Sequence, residues 1–255
     1  GFVGLNTLMA DSFRALVLAY SASTFVSGII GIFYCRPYLR KIQPVRRMFW
    51  DAMKFSTPIM IHSIAIWAIT SSGRWVGSLY MSLADLAPYT LVTFLYSMVS
   101  MLPRALFEAR VPDIGIAFAK RDFAEGTRIV RVTVWLSVLI VAGIYATAFV
   151  LLFGLDVRLP DEYMPTPLLV VVASTANLFD AIYLGGIQTL TAIKQTQTQA
   201  TVTIISGLIT VAVSFILVSI YGDLGLVIAF SAGMLLQAIG ANVAAQQRFD
   251  SLRDA

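Results

Sequence analysis

Long stretches without a charged residue alternate with short basic segments along the whole chain. Residues 15–35, 132–155, 195–222 and 224–247 carry no charge, 55–73 holds only His62, and 163–193 holds only Asp180. A helix needs about 20 apolar residues to cross roughly 30 Å of hydrocarbon, and these runs reach that length. Barrel strands would alternate with period two over about ten residues, and the runs are too long and too uniform for that. The pattern predicts an all-α integral membrane protein with about seven transmembrane helices, near 13–35, 56–79, 86–110, 131–154, 166–191, 199–221 and 224–246.

Composition agrees: 58% of residues are hydrophobic and 13% charged, against about 25% charged in soluble domains. The formal net charge of +4 does not point to nucleic acid, because the basic residues lie in short loops between apolar runs. The segments 36–54 and 120–131, together with Arg104, Arg110, Lys194, Arg248 and Arg253, put fifteen of them on one side. Arg14, Arg74 and Arg158 lie on the other. The positive-inside rule makes the first side, with the C-terminus, cytoplasmic. An odd number of helices ending inside has the chain begin outside, at Gly1, with no basic segment ahead of the first run to form a signal peptide. The expectation is a piece of a longer protein lacking an odd number of upstream helices.

Several apolar runs carry polar stripes. Thr90, Thr93, Ser97, Ser100, Arg104 and Glu108 fall within about 80° of one another on the third predicted helix. Either they line an aqueous path, or the hydroxyls bond back to their own helix while Arg104 and Glu108 form a local i, i+4 ion pair. On the second helix His62, Thr70 and Arg74 share about 120°, one turn after Pro58. On the fifth, Asn177, Gln188 and Thr191 share the face of Asp180, whose ionised form is costly at that depth. Thr203, Ser206, Thr210 and Ser214 repeat the pattern on the sixth.

Other chemistry is thinly represented. The single cysteine, Cys35, excludes an internal disulfide and a cysteine metal cage. One histidine makes a histidine-based metal centre untenable, and no Walker loop, GxSxG or HExxH motif occurs. A retinal Schiff base needs a lysine in the last helix, and 224–246 contains none. No cofactor, metal or nucleic-acid partner is expected, and the chain is not expected to be an enzyme.

The run FSTPIMIHSIAIWAITSSGRWVGSLYMSLADLAPYTL (55–91) resembles the start of the C-terminal lobe of polysaccharide and O-antigen flippases. These belong to the multidrug/oligosaccharidyl-lipid/polysaccharide exporter superfamily. Pro58, His62, Trp67, Ser71, Ser72, Arg74, Gly77 and Tyr89 fit the family's run, while Gly73 replaces its usual aspartate and Ala87 a common glycine. RALFEARVPDI, FDAIYLGGIQTLTAIKQTQTQA and YGDLGLVIAFSAG extend the likeness over about 40–245.

The resemblance implies two six-helix lobes. Residues 1–54 would be the last helix of the first lobe with its cytoplasmic linker, 55–247 the second lobe, and 248–255 a cytoplasmic tail; five helices of the N-terminal lobe would be missing. It further implies export of a polyprenyl-pyrophosphate-linked oligosaccharide across a bacterial inner membrane for surface polysaccharide biosynthesis. Arg74, Arg104, Glu108, Asn177 and Gln188 would contact substrate, with Arg74 and Arg104 on phosphate or sugar. His62 and Asp180 would couple transport to H+ or Na+. The alternatives are a multidrug or cation antiporter of the same superfamily, a membrane-embedded glycan polymerase or acyltransferase, and a partner subunit without transport activity.

Overall fold

The computed structural model describes residues 18–19, 21–34, 36, 46–154 and 163–253. Expectations that fall on Arg14, Cys35, Arg158 and residues 155–162 lie outside them. Every element among the described residues is helical, and five helices are long and apolar enough to cross a membrane. The chain divides into two units, Gly1–Asp51 and Ala52–Ala255. The first holds α1 (Ser21–Tyr34), a short apolar helix with exposed side chains. Helix α2 (Arg46–Tyr80) begins in the first unit, and its continuation forms the second unit together with α3 to α6.

Five long helices, rather than about seven, have two sources. The first expected helix is described only in part. The expected sixth and seventh form one element, α6 (Thr196–Arg253), which folds back on itself at Gly222. Gly222 has φ 60 and ψ −131, a conformation that a side chain would strain severely. The arms then run antiparallel in close contact. A methyl group added at Gly225, Gly233 or Gly240 would meet Leu217, Thr210 or Val202 of the opposite arm. Small residues at these crossings let the two backbones approach, the usual device for helix packing in membranes.

Local chemistry explains the other boundaries. Helix α3 (Ala87–Ala119) runs past its expected end at 110 and through Pro112, because Ile114, Ala117 and Phe118 continue its buried face. The expected loop 120–131 shrinks to a turn at Lys120, Arg121 and Asp122. Helix α4 (Phe123–Phe149) starts there, with the Asp122 carboxylate accepting a hydrogen bond from the Glu125 backbone N–H at 3.1 Å as its N-cap. It ends in a π-helical turn, Val150–Gly154. Helix α5 (Pro167–Ala192) matches expectation within a residue. The Thr166 hydroxyl accepts from the Leu169 N–H at 3.3 Å and proline occupies the first turn, where its missing N–H costs nothing.

Side-chain bridges fix the directions. Asn242 donates to Ile182 O and Ser231 to Val172 O, so α5 and the second arm of α6 run parallel at nearly constant offset. Thr191 donates to Gln199 and Tyr183 meets Thr203, so the first arm runs antiparallel to α5. Helix α5 packs against α3, α4 and α6 and is the centre of the bundle: thirteen of its 26 residues are buried. Asp180 and Asn177 therefore lie on the most enclosed helix.

Candidate polar centre

Helix α3 presents Tyr96, Ser100 and Arg104 at intervals of one turn, so they share a face. That face meets α5, where Asp180 and Tyr183 lie one turn apart. Arg104 Nη2 donates to both Asp180 carboxylate oxygens at 3.2 Å. The Asp180 side chain is 1% exposed, whereas that of Arg104 is 40% exposed. One buried carboxylate is thus neutralised by a cation that still reaches the bundle surface. Because a single nitrogen serves both oxygens, the arrangement is not the fork-on-fork pairing that would use the guanidinium fully. Only Nη2 of the guanidinium engages Asp180, so the other nitrogens of this part-exposed side chain retain donors.

A second cluster adjoins the first. His62 Nδ1 lies 2.7 Å from Thr203 Oγ1. The Tyr183 hydroxyl lies 3.1 Å from Thr203 Oγ1 and 3.4 Å from His62 Nδ1. The Thr203 hydroxyl also lies within hydrogen-bond distance of Gln199 O, at 3.1 Å, so it joins His62, Tyr183 and the backbone of the first arm of α6. Arg104 lies within electrostatic reach of both His62 and Tyr183. Four helical segments, α2, α3, α5 and the first arm of α6, contribute to one constellation.

The candidates from the sequence separate accordingly. His62, Arg104 and Asp180 come together. Asn177 is one turn from Asp180, but its amide donates to the Tyr145 hydroxyl at 2.7 Å on the α4 side. Arg74 is three turns along α2 from His62, about 18 Å at 1.5 Å per residue; it is exposed and donates to Thr93 at 3.4 Å. Gln188 is half-buried, two turns past Asp180. Glu108 is exposed and does not pair with Arg104 among the described residues, so the local i, i+4 ion pair gives way to the contact with Asp180 across helices. The hydroxyls of Thr90, Thr93, Ser97 and Ser100 bond back to carbonyls of α3, which favours helix back-bonding over an aqueous lining for that stripe. A side chain at Gly73 would overlap the Tyr89 ring, which accounts physically for a glycine there.

Sequence reasoning passed over Tyr96, Tyr145 and Tyr183, whose hydroxyls ride on rings that count as apolar. It also passed over Gln237, fully buried on α6, whose two amide atoms have no hydrogen-bond partner among the described residues. A glutamine in an otherwise apolar run was the available signal. Among the described residues no group of three or more His, Cys, Asp and Glu could hold a metal ion. Comparison with protein-family models, with curated proteins and with solved structures found no match for the chain.

Proposed function

We propose that the protein is a transporter of a lipid-linked anionic glycan, a polyprenyl-pyrophosphate oligosaccharide flippase of a bacterial inner membrane, with residues 55–247 as one of two rocking lobes. The observation that carries this reading is the half-open Arg104. It is the cation of the buried polar centre, held by Asp180 on one side and presenting donors on the other. Guanidinium groups recognise phosphate oxygens through paired donors. Asp180 positions Arg104 and holds its charge in the bundle between transport events. His62, with Thr203 and Tyr183, forms a neighbouring relay suited to a coupling proton. A cation antiporter needs an accessible carboxylate, and Asp180 is enclosed and already paired, so the anionic substrate is preferred.

The test is Arg104→Lys in the protein expressed in its host, scored by surface polysaccharide and by protein abundance in the membrane. Lysine keeps the charge that Asp180 requires but loses the planar donors. Export should fall about tenfold, roughly one charge-assisted hydrogen bond, at unchanged abundance. Undiminished export would remove Arg104 from substrate contact.

A further inference from the structure

The basic ends of α3 and α4 carry charges that the polar centre does not use. Helix α3 closes with Asp122 N donating to Ala117 O at 2.9 Å and Arg121 N to Phe118 O at 3.1 Å. This motif places its penultimate residue in the left-handed region, where glycine is the usual occupant. Here it is Arg121, at φ 59. Helix α5 ends the same way, with Lys194 at φ 61.

Two open cavities of about 510 and 570 Å³ flank the α3–α4 turn, and Asp122, Arg128 and Val132 line both. The cations around them are of two kinds. Arg110 is held by Asp113 at 3.3 Å and Arg128 by Glu125 at 2.6 Å. Lys120, Arg121 and Arg131 are exposed and form no ion pair among the described residues. The Asp122 carboxylate is engaged as the cap of α4. The uncommitted charge at this turn is therefore positive. Beside the charged residues the lining has an apolar side: Leu106, Val132 and Leu136 continue the surface down helices long enough to span a membrane, and Phe123 and Phe249 line the other cavity. Free cations above an apolar wall fit an amphiphile with an anionic head and acyl tails.

We propose that this turn is a binding site for an anionic phospholipid of the phosphatidylglycerol or cardiolipin type. Arg121 and Arg131 hold the headgroup phosphate, and an acyl chain lies along Val132 and Leu136. Basic pockets at the cytoplasmic ends of membrane helices recognise such headgroups, and the excess of basic residues places this end there. A zwitterionic lipid brings its own ammonium group and gains less from the unpaired cations. Free phosphate cannot use the apolar wall. The site is independent of what the protein transports.

The experiment is native mass spectrometry of the full chain, exchanged from detergent into mixed micelles containing phosphatidylglycerol, phosphatidylcholine or inorganic pyrophosphate. Phosphatidylglycerol should stay bound in preference to phosphatidylcholine, and pyrophosphate should not displace it. Arg121→Gly combined with Arg131→Gln should lower its retention about thirtyfold, the effect of two basic groups at a lipid surface. Glycine suits the backbone at 121, so this variant keeps the turn intact; Arg131→Gln alone should show part of the loss. Lys194→Gly, the matched change at the other turn, should leave retention unchanged. Equal retention of both lipids, displacement by pyrophosphate, an unaffected double variant, or an equal loss in Lys194→Gly would each overturn the assignment.

Discussion

At the centre of the bundle Arg104 meets Asp180 at 3.2 Å, whereas at the α3–α4 turn Arg128 meets Glu125 at 2.6 Å. By distance alone the turn holds the stronger pair. Burial reverses the order, because the Asp180 side chain is 1% exposed while those of Arg128 and Glu125 are 70% and 40% exposed. Water and salt screen the outer pair and compete for its hydrogen bonds. At the centre, removing Arg104 leaves the enclosed Asp180 carboxylate without an ion-pair partner among the described residues. The longer contact is therefore the one the fold depends on, and the shorter pair is expendable.

Breaking the inner pair should have the largest effect. Arg104→Ala leaves Asp180 enclosed without its cation and should cost about 3 kcal/mol, the low end for a buried pair because Arg104 is partly solvated. The thermal midpoint in detergent reads this directly. Steric insertion comes next. A side chain at Gly186 would meet the α6 backbone at Ala241 and Asn242, 2.8 and 2.9 Å from its Cβ, so Gly186→Val should cost about 1–3 kcal/mol and lower the midpoint correspondingly. Gly115, with nothing within 4 Å, should accept alanine without loss.

Gln237→Met has the opposite sign. It replaces an unpartnered buried amide with an apolar chain of similar volume and should stabilise by about 1 kcal/mol, seen as a raised midpoint. The smallest effect belongs to the outer pair: Glu125→Gln should leave the midpoint unchanged within error at physiological salt.

The elements were legible where the pattern is local. Residues 163–193 announced α5 through an apolar run interrupted only by Asp180, and the hairpin in α6 was foreshadowed by the break between the helices expected to end at 221 and begin at 224. Asp180 and Arg104 stood out as ionisable groups in apolar surroundings. Their pairing was not legible, because helical periodicity gives each residue a face on its own helix but not the rotation of that helix against a neighbour 76 positions away. Glu108, one turn from Arg104, looked like its partner for that reason. The continuation of α3 beyond 110 was hidden by the charges of Arg110 and Asp113, which sit on the exposed face while Ile114 and Phe118 carry the buried one. The tyrosines escaped because their hydroxyls acquire meaning only from what they face.

The most direct test of Arg104 as a working group rather than a strut is the paired variant Arg104→Gln with Asp180→Asn, measured for both thermal midpoint and the proposed glycan export. Neutralising both partners strands no charge, so the midpoint should stay near that of the native protein while export is lost. A double variant that folds and exports normally would contradict the assignment and reduce the centre to a structural contact.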